Sequence, residues 1–194
     1  MKYSESTSIS KEQFEKLIDF LKNDTEIREN RRDRLLKLFS LLYYTGARLN
    51  ELTNLTNNMM ASLLIGEGFY IKRPTNEESK RIYISENAKS ILNEIFTEQI
   101  FNDELIFISE RGDKKSGMNT NSILRDTNSY LEKVFKDESI RTHSFRCAFI
   151  KELLDDNVNV KLIQELTGHK SASSIYRYIQ NRNIDLSSIL NSIR

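Results

Sequence analysis

The chain has 194 residues, with 29 Lys and Arg against 28 Asp and Glu, a net charge of +1 and one cysteine, Cys147. This length accommodates a single domain with a substantial core, and the balanced charge confines any nucleic-acid-binding surface to a local patch. The lone cysteine excludes an internal disulfide and a metal site with several cysteine ligands. Because the sequence has no apolar run of about 18 residues and no apolar N-terminal run, we expect no membrane span, no signal peptide and a cytoplasmic location.

The N-terminal part of the chain is predicted to be helical. A capping box at Ser10 precedes apolar residues at helical spacing from Phe14 to Leu21. A second helical pattern runs from Leu35 to Tyr43 and stops at Gly46, a residue type that commonly ends helices. Because a third helix begins almost at once, Arg48 is expected at the junction, where its side chain can point into a cleft.

The middle of the chain is predicted to contain a β-hairpin. Two extended runs, Phe69 to Arg73 and Lys80 to Ser85, flank the turn-forming residues 74–79. A helix with apolar residues from Ala88 to Phe96 follows, and Asp103 to Ser109 is a candidate third strand.

The C-terminal part returns to helical spacing. Helices are predicted from Ile123 to Phe135, from Thr142 to about Asp156 and from Val160 to Gly168, followed by a segment from Ser171 to Gln180. An amphipathic stripe ends the chain, with Leu186, Ile189, Leu190 and Ile193. The whole pattern predicts a mainly α fold with one small antiparallel β-sheet, an α+β fold.

The candidate site consists of two arginines, both histidines and one tyrosine: Arg48, His143, Arg146, His169 and Tyr178. His143 and Arg146 are three residues apart, so they share one face of a helix. A glycine ends the preceding helix and presents His169 from a turn. Tyr178 follows nine residues later.

These side chains suit the chemistry of a phosphodiester. Guanidinium groups bind two oxygens of a phosphate and stabilise the charge that develops on attack, and imidazoles move protons near pH 7. Tyrosine is a poor nucleophile at its usual pKa of about 10, but neighbouring cations are expected to make its phenolate more accessible. A covalent phosphotyrosine conserves the bond energy, so no ATP is needed. Without a carboxylate cluster, we predict neither a cofactor nor a metal.

Three motifs, in this order, resemble those of the tyrosine recombinase (phage integrase) family. They are Gly46-Ala47-Arg48-Leu49-Asn50-Glu51-Leu52, His143-x-x-Arg146, and Gly168-His169 with Tyr178 nine residues beyond. The resemblance covers the chain from about Ser8 to its end. It implies the catalytic-domain fold of that family as a single domain over residues 1–194, with the family's N-terminal DNA-binding domain absent from this chain.

The resemblance also implies a reaction and a role for each residue. Arg48 and Arg146 would clamp the scissile phosphate, His143 would assist proton transfer, and His169 would bind a phosphate oxygen. Tyr178 would attack, hold the 3′-phosphate and release a 5′-hydroxyl that attacks a partner strand. The implied activity is site-specific recombination or integration of double-stranded DNA, by a DNA-associated homo-oligomer of two to four copies.

The family places a lysine of the β-hairpin as the general acid for the leaving oxygen, and two lysines of this chain are candidates. Lys72 lies at about the expected distance from Arg48 along the chain, and Lys80 opens the second strand. We favour Lys72. Glu51, at the acidic position of the family motif, is expected to brace the site rather than to react.

Other interpretations stay open at this point. Tyr176 is a rival nucleophile, although the spacing from His169 favours Tyr178. A type IB topoisomerase would relax supercoils with nearly the same residues, and a non-catalytic DNA-binding regulator would bind DNA without forming an adduct. The C-terminal stripe fits the chain's own core and, as in recombinases that resemble this chain, a helix that docks on a neighbouring copy.

Two further expectations concern charged residues. Arg48 and Arg146 are expected to be exposed in the cleft, so that removing either side chain spares the fold. The basic stretch of Arg28, Arg31, Arg32 and Arg34 is expected to form a solvated face.

Overall fold

The computed structural model describes residues 7–72, 79–97, 101–109, 116–136 and 139–180. In these ranges the chain is mainly helical and carries two small antiparallel pairs of strands. The elements in chain order are α1 Lys11–Asn23, α2 Glu29–Thr45, α3 Leu49–Leu52, α4 Asn57–Leu64, β1 Phe69–Lys72, β2 Ser79–Ile82, α5 Glu86–Ile95, β3 Ile108–Ser109, β4 Ser116–Gly117, α6 Thr120–Phe135, α7 Thr142–Asp155, α8 Val160–Thr167 and α9 Ser173–Gln180. The predicted fold class is confirmed.

Several details differ from the sequence prediction or lie beyond it. Helix α4 is not predicted from the sequence pattern, and it begins where Thr56 Oγ1 accepts a hydrogen bond from the N–H of Met59 at 3.3 Å. Strand β3 does form, but it pairs with β4 instead of joining the β1–β2 hairpin. The C-terminal stripe over residues 186–193 lies outside the described residues. Within the described ranges, no helix is long and apolar enough to cross a membrane.

Helix α1 begins as its sequence predicts. Ser10 Oγ accepts a hydrogen bond from the N–H of Gln13 at 3.2 Å, and Gln13 Oε1 accepts one from the N–H of Ser10 at 2.8 Å. These bonds satisfy donors that the first turn of a helix leaves without partners. Phe14 then stacks on Tyr43 of α2 with ring centroids 3.9 Å apart, which fixes α1 against α2.

A left-handed glycine ends α2 next to α7. Gly46 has a φ of +58°, a conformation that glycine adopts more readily than residues with a Cβ. A Cβ at this position would lie 2.4 Å from Cδ1 of Phe149. The end of α2 is therefore in direct contact with α7, the helix that carries His143 and Arg146.

The β1–β2 hairpin directs one lysine inward. Its register has four pairs, Phe69 with Ile82, Tyr70 with Arg81, Ile71 with Lys80, and Lys72 with Ser79. Lys80 and Ile82 are buried, whereas Tyr70 is exposed. Because side chains alternate between the faces of a strand, Lys80 lies on the face that packs against the helices.

The apolar interior has two parts. The larger cluster contains side chains from α1, α2, α4, α5, α6 and α7. The smaller cluster joins α7, α8 and α9 through Ile150, Leu154, Ile163 and Ile175, with Tyr178 packed against it. Helix α7 contributes to both clusters, so it connects the two parts of the interior.

Three arginines of the basic stretch at the start of α2 are paired with other parts of the chain. Arg31 and Arg34 form ion pairs with Asp126 of α6, at 2.7 and 3.1 Å. Arg32 Nη2 donates a hydrogen bond to the carbonyl of Asp24 at 2.6 Å. The expectation of a solvated face is wrong for these three arginines, because each has a partner elsewhere in the chain.

Candidate active site

Arg146 lies buried between the ends of two helices. It is 2% exposed, its Nη1 donates to the carbonyl of Gly46 at 2.8 Å, and its Nη2 donates to the carbonyl of Thr167. Burial, followed by the nearby charge of Arg48, lowers the pKa of Arg146 to about 10. It is therefore still a cation at neutral pH. The expectation that Arg146 is exposed in the cleft is wrong, because its guanidinium joins α2 to α8.

A buried carboxylate connects Arg48 to Lys80. Glu51 Oε1 accepts a hydrogen bond from Arg48 Nη1 at 3.1 Å. Its Oε2 accepts one from the backbone N–H of Arg48 at 2.7 Å and one from Lys80 Nζ at 3.1 Å. Burial favours the protonated carboxyl, but the charge of Lys80 and these hydrogen bonds outweigh it and lower the pKa of Glu51. Glu51 therefore orients both cations.

Lys80 is the hairpin lysine that the structure places in the cluster. Its side chain is fully buried against Glu51. Burial lowers the pKa of Lys80 to about 8 against the attraction of Glu51, and the charge of Arg146 lowers it further. Lys72 ends β1, and its side chain lies outside the part of the chain that the structure describes. The preference for Lys72 therefore stays an untested prediction.

The two histidines lie on either side of Arg146 in sequence and differ in exposure. His143, in the first turn of α7, is exposed, and partial desolvation followed by the charges of Arg146 and Arg48 lowers its pKa. His169 follows the left-handed Gly168, and its Nδ1 and Nε2 lie 3.4 and 3.5 Å from Arg146 Nη2. Burial and the charges of Arg146 and Arg48 lower the pKa of His169 to about 3. Both imidazoles are therefore neutral at pH 7.

A residue that the sequence analysis does not single out contacts His169. Thr167 is 1% exposed, and its Oγ1 lies 2.7 Å from Nδ1 of His169. The same hydroxyl donates to the carbonyl of Ile163 at 2.5 Å. A threonine just before a helix-ending glycine fits many roles, so the sequence carries no signal that marks this one.

Tyr178 lies on α9 and packs against the smaller apolar cluster. Burial and the contact with Cys147 raise the pKa of Tyr178 to about 12, although Arg146 acts in the opposite direction. The expectation that neighbouring cations make the phenolate more accessible is wrong here, because burial outweighs their attraction. Tyr176, the rival nucleophile, is exposed on the same helix.

The predicted positions that the structure describes come together around Arg146. Direct contacts link Arg48 to Lys80 through Glu51 and link Arg146 to His169. The charge of Arg146 acts on the pKa values of Lys80, His143 and Tyr178 as well. The arrangement holds three cations, two neutral imidazoles and one phenol, which can bind an anion and exchange protons with it.

Replacing the two arginines by alanine is expected to have unequal effects on stability. Arg146→Ala leaves two buried carbonyls without their donors, which lowers the free energy of unfolding by about 2 kcal/mol. Arg48→Ala removes a partly exposed ion pair, so its cost is less than about 1 kcal/mol. Urea denaturation of both variants measures the difference. Equal losses would contradict the structural role of Arg146.

Comparison with known sequences gives a consistent family. The model of the Phage integrase family matches residues 7–183. Tyrosine recombinase XerC of Leptospira interrogans is 29% identical over 174 residues, which are 85% of this chain and 51% of the relative. Tyrosine recombinase XerA of Pyrococcus furiosus is 26% identical over 172 residues, which are 88% of this chain and 56% of the relative. The chain thus spans about half the length of these curated relatives.

Comparison with solved structures gives a matching fold. The XerH site-specific recombinase bound to its difH substrate superposes with a TM-score of 0.69 at 18% identity, covering 96% of this chain and 53% of that one. At this identity the likeness shows the fold alone, which is that of tyrosine recombinase catalytic domains. Because the family model matches nearly the whole sequence, this chain belongs to the phage integrase family of tyrosine recombinases.

Proposed function

We propose that this chain is the catalytic part of a site-specific DNA recombinase or integrase, which cleaves and rejoins DNA strands through a 3′-phosphotyrosine intermediate. The proposal rests on the charge of the residues around Glu51 and Arg146. Arg48, Lys80 and Arg146 bring three cations to a single carboxylate, Glu51. Such an excess of positive charge favours an anion, and a phosphodiester between two guanidinium groups fits it.

An unpaired donor of Arg146 supports an anion at this position. Its buried Nε has no hydrogen-bond partner among the residues that the structure describes. Buried donors are normally paired, and a guanidinium presents its donors in a fork that suits phosphate oxygens. A phosphate would satisfy this donor if binding exposes the nitrogen, which is enclosed in this structure.

The relatives support DNA as the substrate. The Leptospira relative is a tyrosine recombinase, and the XerH structure contains its difH substrate. We extend this to double-stranded DNA as the partner of this chain. Neither the type IB topoisomerase nor the non-catalytic regulator has a comparable observation in its favour.

The proposed reaction begins when Tyr178 Oη attacks the phosphorus. The tyrosine loses its proton, a P–O bond forms, the bond from phosphorus to O5′ breaks, and O5′ takes up a proton to leave as a hydroxyl. Because the pKa of Tyr178 is about 12, a base must accept its proton, and we assign this step to the neutral, exposed His143. Attack by a 5′-hydroxyl of a partner strand reverses these steps and frees the tyrosine.

We assign the proton for the leaving oxygen to Lys80. At a pKa of about 8 this buried lysine is protonated at neutral pH and gives up its proton more readily than an ordinary lysine. Glu51 holds it in place together with Arg48, while Arg48 and Arg146 bind the non-bridging oxygens and His169 contacts one of them. Lys72, which the sequence favours, is the alternative donor.

We also propose that two to four copies assemble on DNA through the C-terminal stripe. The stripe combines apolar residues at helical spacing, Leu186, Ile189, Leu190 and Ile193. Such a stripe needs an apolar surface to cover it, on this chain or on a neighbouring copy. Recombination joins two DNA duplexes, which favours a contact between copies.

The nucleophile is tested with Tyr178→Phe against Tyr176→Phe. Tyr178→Phe is expected to abolish a protease-sensitive covalent adduct on nicked duplexes from the DNA that flanks the gene, and to keep noncovalent binding. Tyr176→Phe is the matched control on the same helix and is expected to form the adduct. A denaturing gel separates the outcomes. An adduct that survives only in Tyr178→Phe would identify Tyr176 as the nucleophile. DNA binding by the wild type without any adduct would favour the non-catalytic DNA-binding regulator.

The general acid is tested by changing the leaving group. Lys80→Ala is expected to slow cleavage of an ordinary phosphodiester by about 100-fold or more. In a duplex with sulfur in place of O5′, the leaving group departs as a thiolate and needs no proton. This substrate is therefore expected to restore cleavage by Lys80→Ala. Lys72→Ala serves as the control and is expected to cleave both substrates at the wild-type rate. The reverse pattern would return the role to Lys72.

The assembly is tested with a chain that ends at Gln180. On DNA with two binding sites, the full chain is expected to form multi-copy complexes, whereas the shortened chain occupies the sites independently. Light scattering of the complexes measures the number of copies. If the shortened chain instead loses its cooperative thermal unfolding, the stripe belongs to the chain's own core.

A further inference from the structure

A buried hydroxyl lies between His169 and the carbonyl of Ile163. Thr167 Oγ1 lies 2.5 Å from the carbonyl oxygen of Ile163 and 2.7 Å from Nδ1 of His169. Thr167 is 1% exposed, so water does not compete for these bonds. Both distances are within the range of direct hydrogen bonds.

Counting protons assigns the direction of each bond. A threonine hydroxyl has one proton and can also accept, whereas a carbonyl can only accept. Two oxygens 2.5 Å apart need a proton between them, so Thr167 donates to Ile163. Its oxygen must then accept from His169, which places a proton on Nδ1. In a neutral imidazole the other nitrogen, Nε2, is consequently without a proton.

The groups around His169 are compatible with this assignment. Arg146 Nη2 lies 3.4 Å from Nδ1 and 3.5 Å from Nε2, so it is almost equidistant from the two ring nitrogens and the assignment of the tautomer rests on Thr167. The charged and titratable groups that act on the ring are Arg146, Arg48, Lys80 and His143. All are cationic or can become so, and they keep the ring neutral because a further positive charge would be repelled.

We propose that Thr167 is a positioning residue, which holds neutral His169 as the Nδ1–H tautomer, so that His169 donates a hydrogen bond to phosphate only after Nε2 takes up a proton. The role at phosphate rests on the proposed function, whereas the tautomer does not. An arriving phosphodiester brings negative charge to the cations around the ring and therefore favours that proton, which comes from solvent. Binding of the scissile phosphate and protonation of His169 are thus linked.

The tautomer is measured by ¹⁵N NMR of the full chain without DNA. In the wild type, Nδ1 of His169 is expected to be protonated and Nε2 unprotonated. Thr167→Ser keeps the hydroxyl and is expected to keep this pattern. The valine of Thr167→Val has nearly the same shape as threonine but no oxygen to accept from Nδ1. The ¹⁵N signals of His169 are therefore expected to shift toward those of the Nε2–H tautomer. The chain has two histidines, so His143→Gln assigns the resonances.

Two NMR results would overturn the proposal. One is a wild-type His169 that is protonated on Nε2, and the other is a Thr167→Val spectrum equal to that of Thr167→Ser. Misfolding does not explain the Val result if its amide spectrum matches the wild type. The carbonyl of Ile163 stays paired in this variant, because the helical N–H of residue 167 still donates to it.

A second measurement tests the link to phosphate. The rate of adduct formation is compared between Thr167→Val and Thr167→Ser at each pH, which cancels the titration of the other groups. The rate of Thr167→Val divided by the rate of Thr167→Ser is expected to rise at least about threefold from pH 6 to pH 8. The reason is that only the Thr167→Ser variant still requires the proton on His169. A constant ratio would mean a purely structural role and would overturn the link. Failure of the wild type to form any adduct would instead count against the proposed function.

Discussion

The hydrogen bonds from Arg146 to the carbonyls of Gly46 and Thr167 hold the site together. Both carbonyls lie at the C-terminal end of a helix, where acceptors lack helical partners and the helix dipole is negative. These ends offset part of the cost of burying a cation. Since Arg48 follows Gly46 by two residues and His169 follows Thr167 by two, one guanidinium places both side chains beside itself.

Burial and electrostatic repulsion act together on the cationic groups of the site. Arg146, Lys80 and His169 all have lowered pKa values, because burial and mutual repulsion disfavour their charged forms. Glu51 is the carboxylate that opposes this repulsion, and it binds Arg48 and Lys80 through different oxygens. An anionic phosphate would act in the same direction as Glu51. Occupancy of the site and protonation of its groups therefore depend on each other.

The sequence predicts the features that depend on local patterns. The capping box at Ser10, the glycine end of α2 and the order of the motifs are all readable from residue type and spacing. The features that it left open or predicted wrongly depend on tertiary burial. The position of Lys80 depends on which face of the hairpin packs against the helices, and the raised pKa of Tyr178 depends on how deeply α9 is buried.

Tyr178 belongs to the smaller apolar cluster, whereas Arg48 and Lys80 lie on elements that pack into the larger one. The free energy of local opening depends on the apolar contacts that a segment must break. The apolar contacts that hold Tyr178 in place are therefore those of α7, α8 and α9 in the smaller cluster. In the proposed reaction, the access of Tyr178 to phosphate would then depend on the size of an apolar residue such as Ile163 or Ile175, with every charged group left unchanged.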